Sequence, residues 1–262
     1  MSVRRPFILP VAVFLVYAGL LAPLIVVIGT SFNSGAGFDF PPKGLSLRWY
    51  ATFFASAPFL NAFFGVSLVV GILTALVASV IGALAAIGVV RFRFTGREAL
   101  EALFLMPLLM PHILLGAALY LYFVRFGMKS SLLTITLGHL VIATPYVIRS
   151  VTAGLVGIDP RLEEAAMSLG ASRIQAFFKV TMPQLRASFI SGAIFAFIIS
   201  FSDINLSLFL SGPGVTTLPM HIFSEIQWGG DPTIAAASAL QIITVGLLIL
   251  LVQRVFRLKL MV

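Results

Sequence analysis

"RLEEAAMSLGASRIQAFFKVTMPQL", residues 161–185, is a polar island in a chain that is otherwise close to hydrocarbon. Its punctuation is that of two short helices. Asp159 followed by Pro160 reads as N-cap and first helical residue, because the N–H that proline lacks is not needed there. Residues 162–169 then fill about two helical turns. Gly170 can take the left-handed backbone that ends a helix. Ser172 and Gln175 stand in the S-x-x-Q spacing of a capping box, which starts a second helix. Pro183 marks a break before the next apolar run. The spacing predicts helix, sharp glycine turn, helix, with Glu163 and Glu164 in the first turn, where the macrodipole favours anions.

Around this island the composition points to a bilayer. Hydrophobic residues make up 60% of the chain, charged residues 10%, and the mean hydropathy is +1.09. A soluble domain carries about 25% charged residues, so this chain cannot cover itself with a water-compatible surface. Six apolar runs, 7–30, 61–90, 100–124, 132–156, 189–210 and 234–252, each meet the roughly twenty residues that a spanning helix needs. The alternation of a β-barrel strand is absent. The fold class is therefore all-α, a polytopic membrane protein with six transmembrane helices. The first run follows Arg4 and Arg5 but is too long for a signal-peptide core and lacks an A-x-A-like site, so it reads as a retained helix. The chain has no cysteine, which excludes disulfides and thiolate metal sites.

The net charge of +8 sorts by side of the membrane. With the N-terminus inside, only Lys43, Arg48, Arg125 and Lys129 are outer, and the other thirteen of the seventeen bases are inner. That bias places both termini in the cytoplasm and accounts for the basic charge without nucleic acid. The polar island becomes an inner loop, residues 158–186. The outer segments are 32–60 and 211–233. Trp49 and Tyr50 of the first suit the headgroup layer. "SGPGVTTLPMHIFSEIQWGGDP" (211–232) has room for a short surface helix between its glycine turns. No linker divides the chain, and residues 1–262 read as a single transmembrane domain.

Periodicity alone leaves two readings of the inner loop: an amphipathic hairpin lying on lipid headgroups, or a docking element for a protein. Interfacial helices favour a basic polar face, so the glutamate pair argues for a protein partner. "EAAMSLGASRIQAFFKVTMP" also resembles the EAA loop of type I ABC importer permeases: Glu-Ala-Ala, three residues, Gly, nine residues, an aliphatic, one residue, Leu-Pro. Here those positions are Glu164, Ala165, Ala166, Gly170, Val180 and Met182-Pro183, with Val and Met in place of the commoner Ile and Leu. "PPKGLSLRWY", "SLFLSGPGVTTLP" and "DPTIAAASAL" extend the likeness, most closely to the second permease of spermidine/putrescine-type importers.

The resemblance implies the type I permease architecture and a polar loop that docks on a cytoplasmic ATPase. Glu163, Glu164, Ala165, Ala166, Gly170 and Pro183 would then be the ATPase-coupling residues. It further implies a homologous second permease, two ATPase subunits and a periplasmic or extracellular substrate-binding protein as partners. ATP and Mg would be used by those ATPases, this chain binding no cofactor itself. The place implied is the bacterial inner membrane, and the solute a polyamine. A phosphonate, an opine-like compound or ferric iron are the alternatives.

The chain carries no G-x-x-x-x-G-K-[ST] and so no P-loop of its own. No nucleophile–base or metal constellation suggests an intramembrane enzyme. His112 and His139 sit in or near apolar runs, where helix–helix hydrogen bonding is the first reading. His221 and Glu225 form a surface pair at i,i+4 spacing. Asp203 alone among the nine acids lies within a span, where a carboxylate costs roughly 2.5–3.5 kcal/mol at the helix centre. With Ser202 and Asn205 it is the candidate substrate pathway. A cation contact and a structural role against the companion permease both remain open for it. Polyamine permeases often have two adjacent acids here, and Ser202 takes the place of one. Secondary transport would need more intramembrane acids or broken helices than one aspartate supplies. Ser188, Gly192, Ala196 and Ser200 form a small-residue stripe, read as a packed seam.

Overall fold

The computed structural model describes residues 8–256; Phe7, Arg4, Arg5, Arg257 and Lys259 lie outside the described residues. Five helical runs are long and apolar enough to cross a membrane, and a bent helix pair supplies a sixth. No strand occurs among the described residues, only two isolated bridges. Two compact units divide the described residues, one built from 8–60 plus His221–Gly246, the other from Asn61–Met220 plus 247–256.

In the first unit, α1 (Ile8–Ser31) is a long apolar helix ending at a tight polar knot. The Ser31 hydroxyl lies 2.7 Å from that of Tyr50, and the Trp49 indole donates to the Asn33 carbonyl at 2.9 Å. The Asn33 amide donates to Gly37 O at 2.9 Å, so one buried asparagine holds the turn after the span. Trp49 belongs to α2 (Arg48–Ala55) and is buried with Phe53 rather than lying open at an interface. A short α3 (Ala57–Leu60) follows, and its Phe59 meets the His221 ring edge-on at 4.5 Å.

The second unit is organised by three long helices that pack on one another: α4 (Leu68–Arg91), α7 (Leu132–Val156) and α10 (Met182–Ser202). A π-helical stretch, Asn61–Ser67, leads into α4. Within lipid no hydrophobic force distinguishes one apolar helix from another, so close fit decides the pairing. Val147 of α7 is fully buried at the meeting point. A Cβ on Gly82 of α4 would stand 2.7 Å from the Val147 Cβ, and one on Gly192 of α10 would stand 3.2 Å from the Val147 Cα. A side chain at Gly82 would clash, and one at Gly192 would press on the α7 backbone. The stripe Ser188, Gly192, Ala196, Ser200 is thus a packed seam: Ser150 donates to Ser188 O at 2.7 Å, and Ala196 is fully buried.

Two of the expected spans are broken. The run 100–124 divides into α5 (Arg97–Leu105), a 3₁₀ turn (Met106–Leu108) and α6 (His112–Arg125), bent by 103°. Pro107 and Pro111 frame the bend, each lacking the N–H that would continue the helix. The run 189–210 ends as a long helix at Ser202 and resumes as α11 (Ser207–Leu210). Beyond it lie α12 (Leu218–Gln227), the expected helix between the glycine turns, and α13 (Thr233–Phe256).

Candidate functional site

The polar island folds as its caps dictate. The Asp159 carboxylate accepts from the Arg161 N–H at 2.9 Å, opening α8 (Arg161–Ser168). Gly170 has φ 92°, its N–H bonds Met167 O at 2.9 Å, and the Ala171 N–H reaches back to Ala166 O at 3.1 Å. Those two bonds make a Schellman motif, which only a left-handed residue at Gly170 allows. Ser172 and Gln175 exchange the two bonds of a capping box, at 3.3 and 3.0 Å, and start α9 (Arg173–Ala176). A π-helical turn, Phe177–Thr181, then carries the chain into α10 without a break at Pro183. This corrects the expectation for Pro183. The wider π turn and the early helical position accommodate a residue that has no N–H to donate.

The two glutamates face different ways. Glu164 is exposed, as is Ala165, while Ala166 is partly covered. Glu163 turns to its own chain. Arg91, the last residue of α4, donates from Nη1 to Oε2 at 3.2 Å and from Nη2 to Oε1 at 3.0 Å. The Thr181 hydroxyl also donates to Oε1. Only 24% of the Arg91 side chain and 14% of the Glu163 side chain remain exposed. A two-pronged, half-buried guanidinium–carboxylate pair is among the stronger polar contacts a protein makes. The pair borders an open cleft of about 230 Å³, lined also by Ile87, Phe92 and Ile174. On the outside of the loop, Leu169, Ile174 and Phe178 are 90%, 72% and 60% exposed. The loop thus presents exposed acids and bare apolar side chains together.

A second polar site lies where α10 stops. The Asp203 carboxylate is buried, and its Oδ2 accepts from the Leu206 and Ser207 N–H groups at 2.8 and 3.3 Å. It caps the start of α11, which is why the helix breaks there: a short acid competes with the backbone for its own N–H groups. His139 is fully buried, with Nδ1 2.8 Å from the Ser200 hydroxyl and Nε2 3.2 Å from that of Ser207. His139 Nε2 lies 3.8 Å from Asp203 Oδ2, and His112 Nδ1 lies 3.7 Å from Oδ1. The helix–helix hydrogen bonding expected of the histidines is what His139 does. Ser202 and Asn205 are exposed, while Asp203 is buried. Among the described residues no group of His, Asp and Glu could hold a metal ion.

The family described as "binding-protein-dependent transport system inner membrane component" matches residues 78–261. The chain belongs to this family. It is a multi-pass inner-membrane permease subunit of an ABC importer, and a subunit of that kind carries no ATPase site of its own. Among its relatives is the putrescine transport system permease protein PotI of Escherichia coli (strain K12), 35% identical over 94% of this permease and 89% of that protein. Another is the spermidine/putrescine transport system permease protein PotC of Haemophilus influenzae, 30% identical over 97% of this permease and 98% of that protein. Among solved structures, a bacterial ABC transporter involved in the import of the acidic polysaccharide alginate matches with TM-score 0.74, covering 97% of this permease and 96% of that chain at 15% identity. That last likeness concerns the fold.

Arg91 is the residue of this site that local sequence does not reveal. It reads as one more inner base at the end of a span, and 72 positions separate it from Glu163. The pairing has no periodic or capping signature, because it is made by tertiary packing.

Proposed function

We propose that this permease carries a polyamine, putrescine or spermidine, inward across the bacterial inner membrane. The observation that carries the proposal is likeness along nearly the whole chain to two permeases named for those solutes, at 35% and 30% identity. It works with a homologous second permease, two cytoplasmic ATPases that use ATP and Mg, and a binding protein outside. Residues 1–262 act as one transmembrane domain, both termini are cytoplasmic, and segments 32–60 and 211–233 face outward. The loop 158–186 docks in the ATPase. Glu164, Ala165 and Ala166 present its outer face, Gly170 fixes its angle, and Glu163 and Pro183 join it to the membrane helices. A stiff element that has two discrete positions can pass closure of the ATPases to the spans, which is what alternating access requires.

Ser202, Asp203 and Asn205 are the pathway residues of this reading, with Asp203 supplying negative charge for a cation. The cap that Asp203 makes on α11 favours a second role, holding the helix break in place. Asp203→Asn keeps an acceptor for the cap and removes the charge. It should cut polyamine uptake while leaving assembly intact, whereas equal kinetics would leave Asp203 with the structural role alone. The whole proposal is tested by uptake of labelled putrescine and spermidine into proteoliposomes holding the assembled complex. Saturable uptake that stops without ATP supports it. ATPase stimulation by a loaded binding protein without polyamine uptake would keep the importer and change the solute.

A further inference from the structure

Glu163 is the only point at which the coupling loop is tied to a helix that is not its neighbour in sequence through a charged pair among the described residues. Covalently, α8 hangs between α7 and α10. The bond to Arg91 adds the inner end of α4, the third member of the central packing, and Thr181 draws the π turn before α10 onto the same carboxylate. We propose that Arg91 is a positioning residue that, through Glu163, transmits displacement of the loop to α4. The inference rests on the coupling role given above to loop 158–186.

The physical grounds are stiffness and shielding. Two parallel N–H···O bonds fix orientation as well as distance, which one flexible contact cannot do. With both side chains mostly covered, salt and water weaken the pair less than they weaken a surface bridge. The cleft beside the pair is lined by Ile87 and Phe92 from the α4 end and by Ile174, Phe177 and Phe178 from the α9 side, with Arg173 the one further charged residue on it. A load on α8 therefore reaches α4 directly, without first bending α7 or α10. The charge on Arg91 matters for this, and the apolar packing of α4 on α7 and α10 higher in the bundle does not substitute for it.

The chain has no cysteine, so single introduced thiols report on single places. Gly88→Cys puts one on α4 where nothing stands within 4 Å of the new Cβ, about one turn before Arg91. Ser168→Cys puts one at the exposed end of α8. In the complex with its partner permease and ATPases, thiol-labelling rates are compared with and without ATP. With the pair intact, ATP should change labelling at both positions. In Arg91→Gln the response at Ser168→Cys should persist while that at Gly88→Cys falls by roughly tenfold, the scale of losing one charged hydrogen-bonded contact. Exchanging the charges, Arg91→Glu with Glu163→Arg, should restore it. A purely structural role would lower stability without separating the two reporters. The inference is overturned if Gly88→Cys still responds when the pair is broken, or if both reporters lose their response together. Where Arg91→Gln does not assemble, Glu163→Gln makes the same comparison with less change in shape. Should Ser168→Cys ignore ATP with the pair intact, the coupling role of the loop falls first, and this inference with it.

Discussion

Glu163 and Asp203 are both acids turned toward their own chain, yet the regions around them are built in opposite ways. The polar loop 158–186 is specified locally: Asp159, Gly170, Ser172 and Gln175 each satisfy backbone groups within a few positions of themselves. Among the described residues, Glu163 alone in that loop reaches a charged partner far along the sequence. The Asp203 region reverses this. Its acid serves the nearest backbone N–H groups, while the neighbouring histidines arrive from α6 and α7. Under the proposed coupling role, such a loop would carry its own caps and one firm attachment outward. The break at Asp203 instead has side chains of α6 and α7 beside its own local cap.

The contrast can be broken most forcefully at Asp203. Asp203→Ala leaves two buried N–H groups without their acceptor and should lower stability by about 2–3 kcal/mol, read as a lower Tm of the purified permease. Unchanged Tm would mean that the helix break is held by packing alone. Gly170→Ala should cost about 1–2 kcal/mol, because it forces a residue with a Cβ into left-handed backbone. That loss should fall on the loop: ATPase stimulation and uptake decline while the Tm of the bundle holds. Ser172→Ala removes half of a capping box and should cost about 1 kcal/mol in the same place. If either loop variant lowers the Tm as far as Asp203→Ala does, the loop is not a separable element.

The smallest effect concerns His221 in the outer segment. Burial against Phe59 holds its pKa below the ordinary 6.5, with the Glu225 carboxylate opposing. A base of lowered pKa takes up its proton more readily in the unfolded chain. Its contribution to stability is therefore intact above pH 6.5 and is lost as the pH falls below that value. Melting curves taken above and below pH 6.5 should show a small acid-side decrease that His221→Phe removes.

What the sequence makes legible follows the same division. α7 begins and ends where its apolar run does, and the caps of α8 and α9 are readable because each is a contact between near neighbours. The bend at Pro107 and Pro111 is written as two prolines, but an unbroken hydropathy run conceals it. The break at Asp203 is concealed likewise, since a lone acid in a span reads first as a functional charge and only the fold reveals it capping α11. Pro183 is the reverse case, a residue that normally stops a helix but is carried through by a π turn. Arg91 could not be paired with Glu163 from spacing, because nothing in the intervening chain encodes their approach.

Coupling by the loop is tested most directly at its exposed acid. Glu164→Lys reverses a charge whose side chain makes no hydrogen bond or ion pair among the described residues, so insertion and folding should be unaffected. Uptake and ATP hydrolysis are measured on the same proteoliposomes. If the loop is the joint between ATPase and membrane, uptake per ATP hydrolysed should drop by tenfold or more, since a misplaced like charge at an interface costs on the order of several kcal/mol. Uptake per ATP equal to that of the unaltered permease would contradict it.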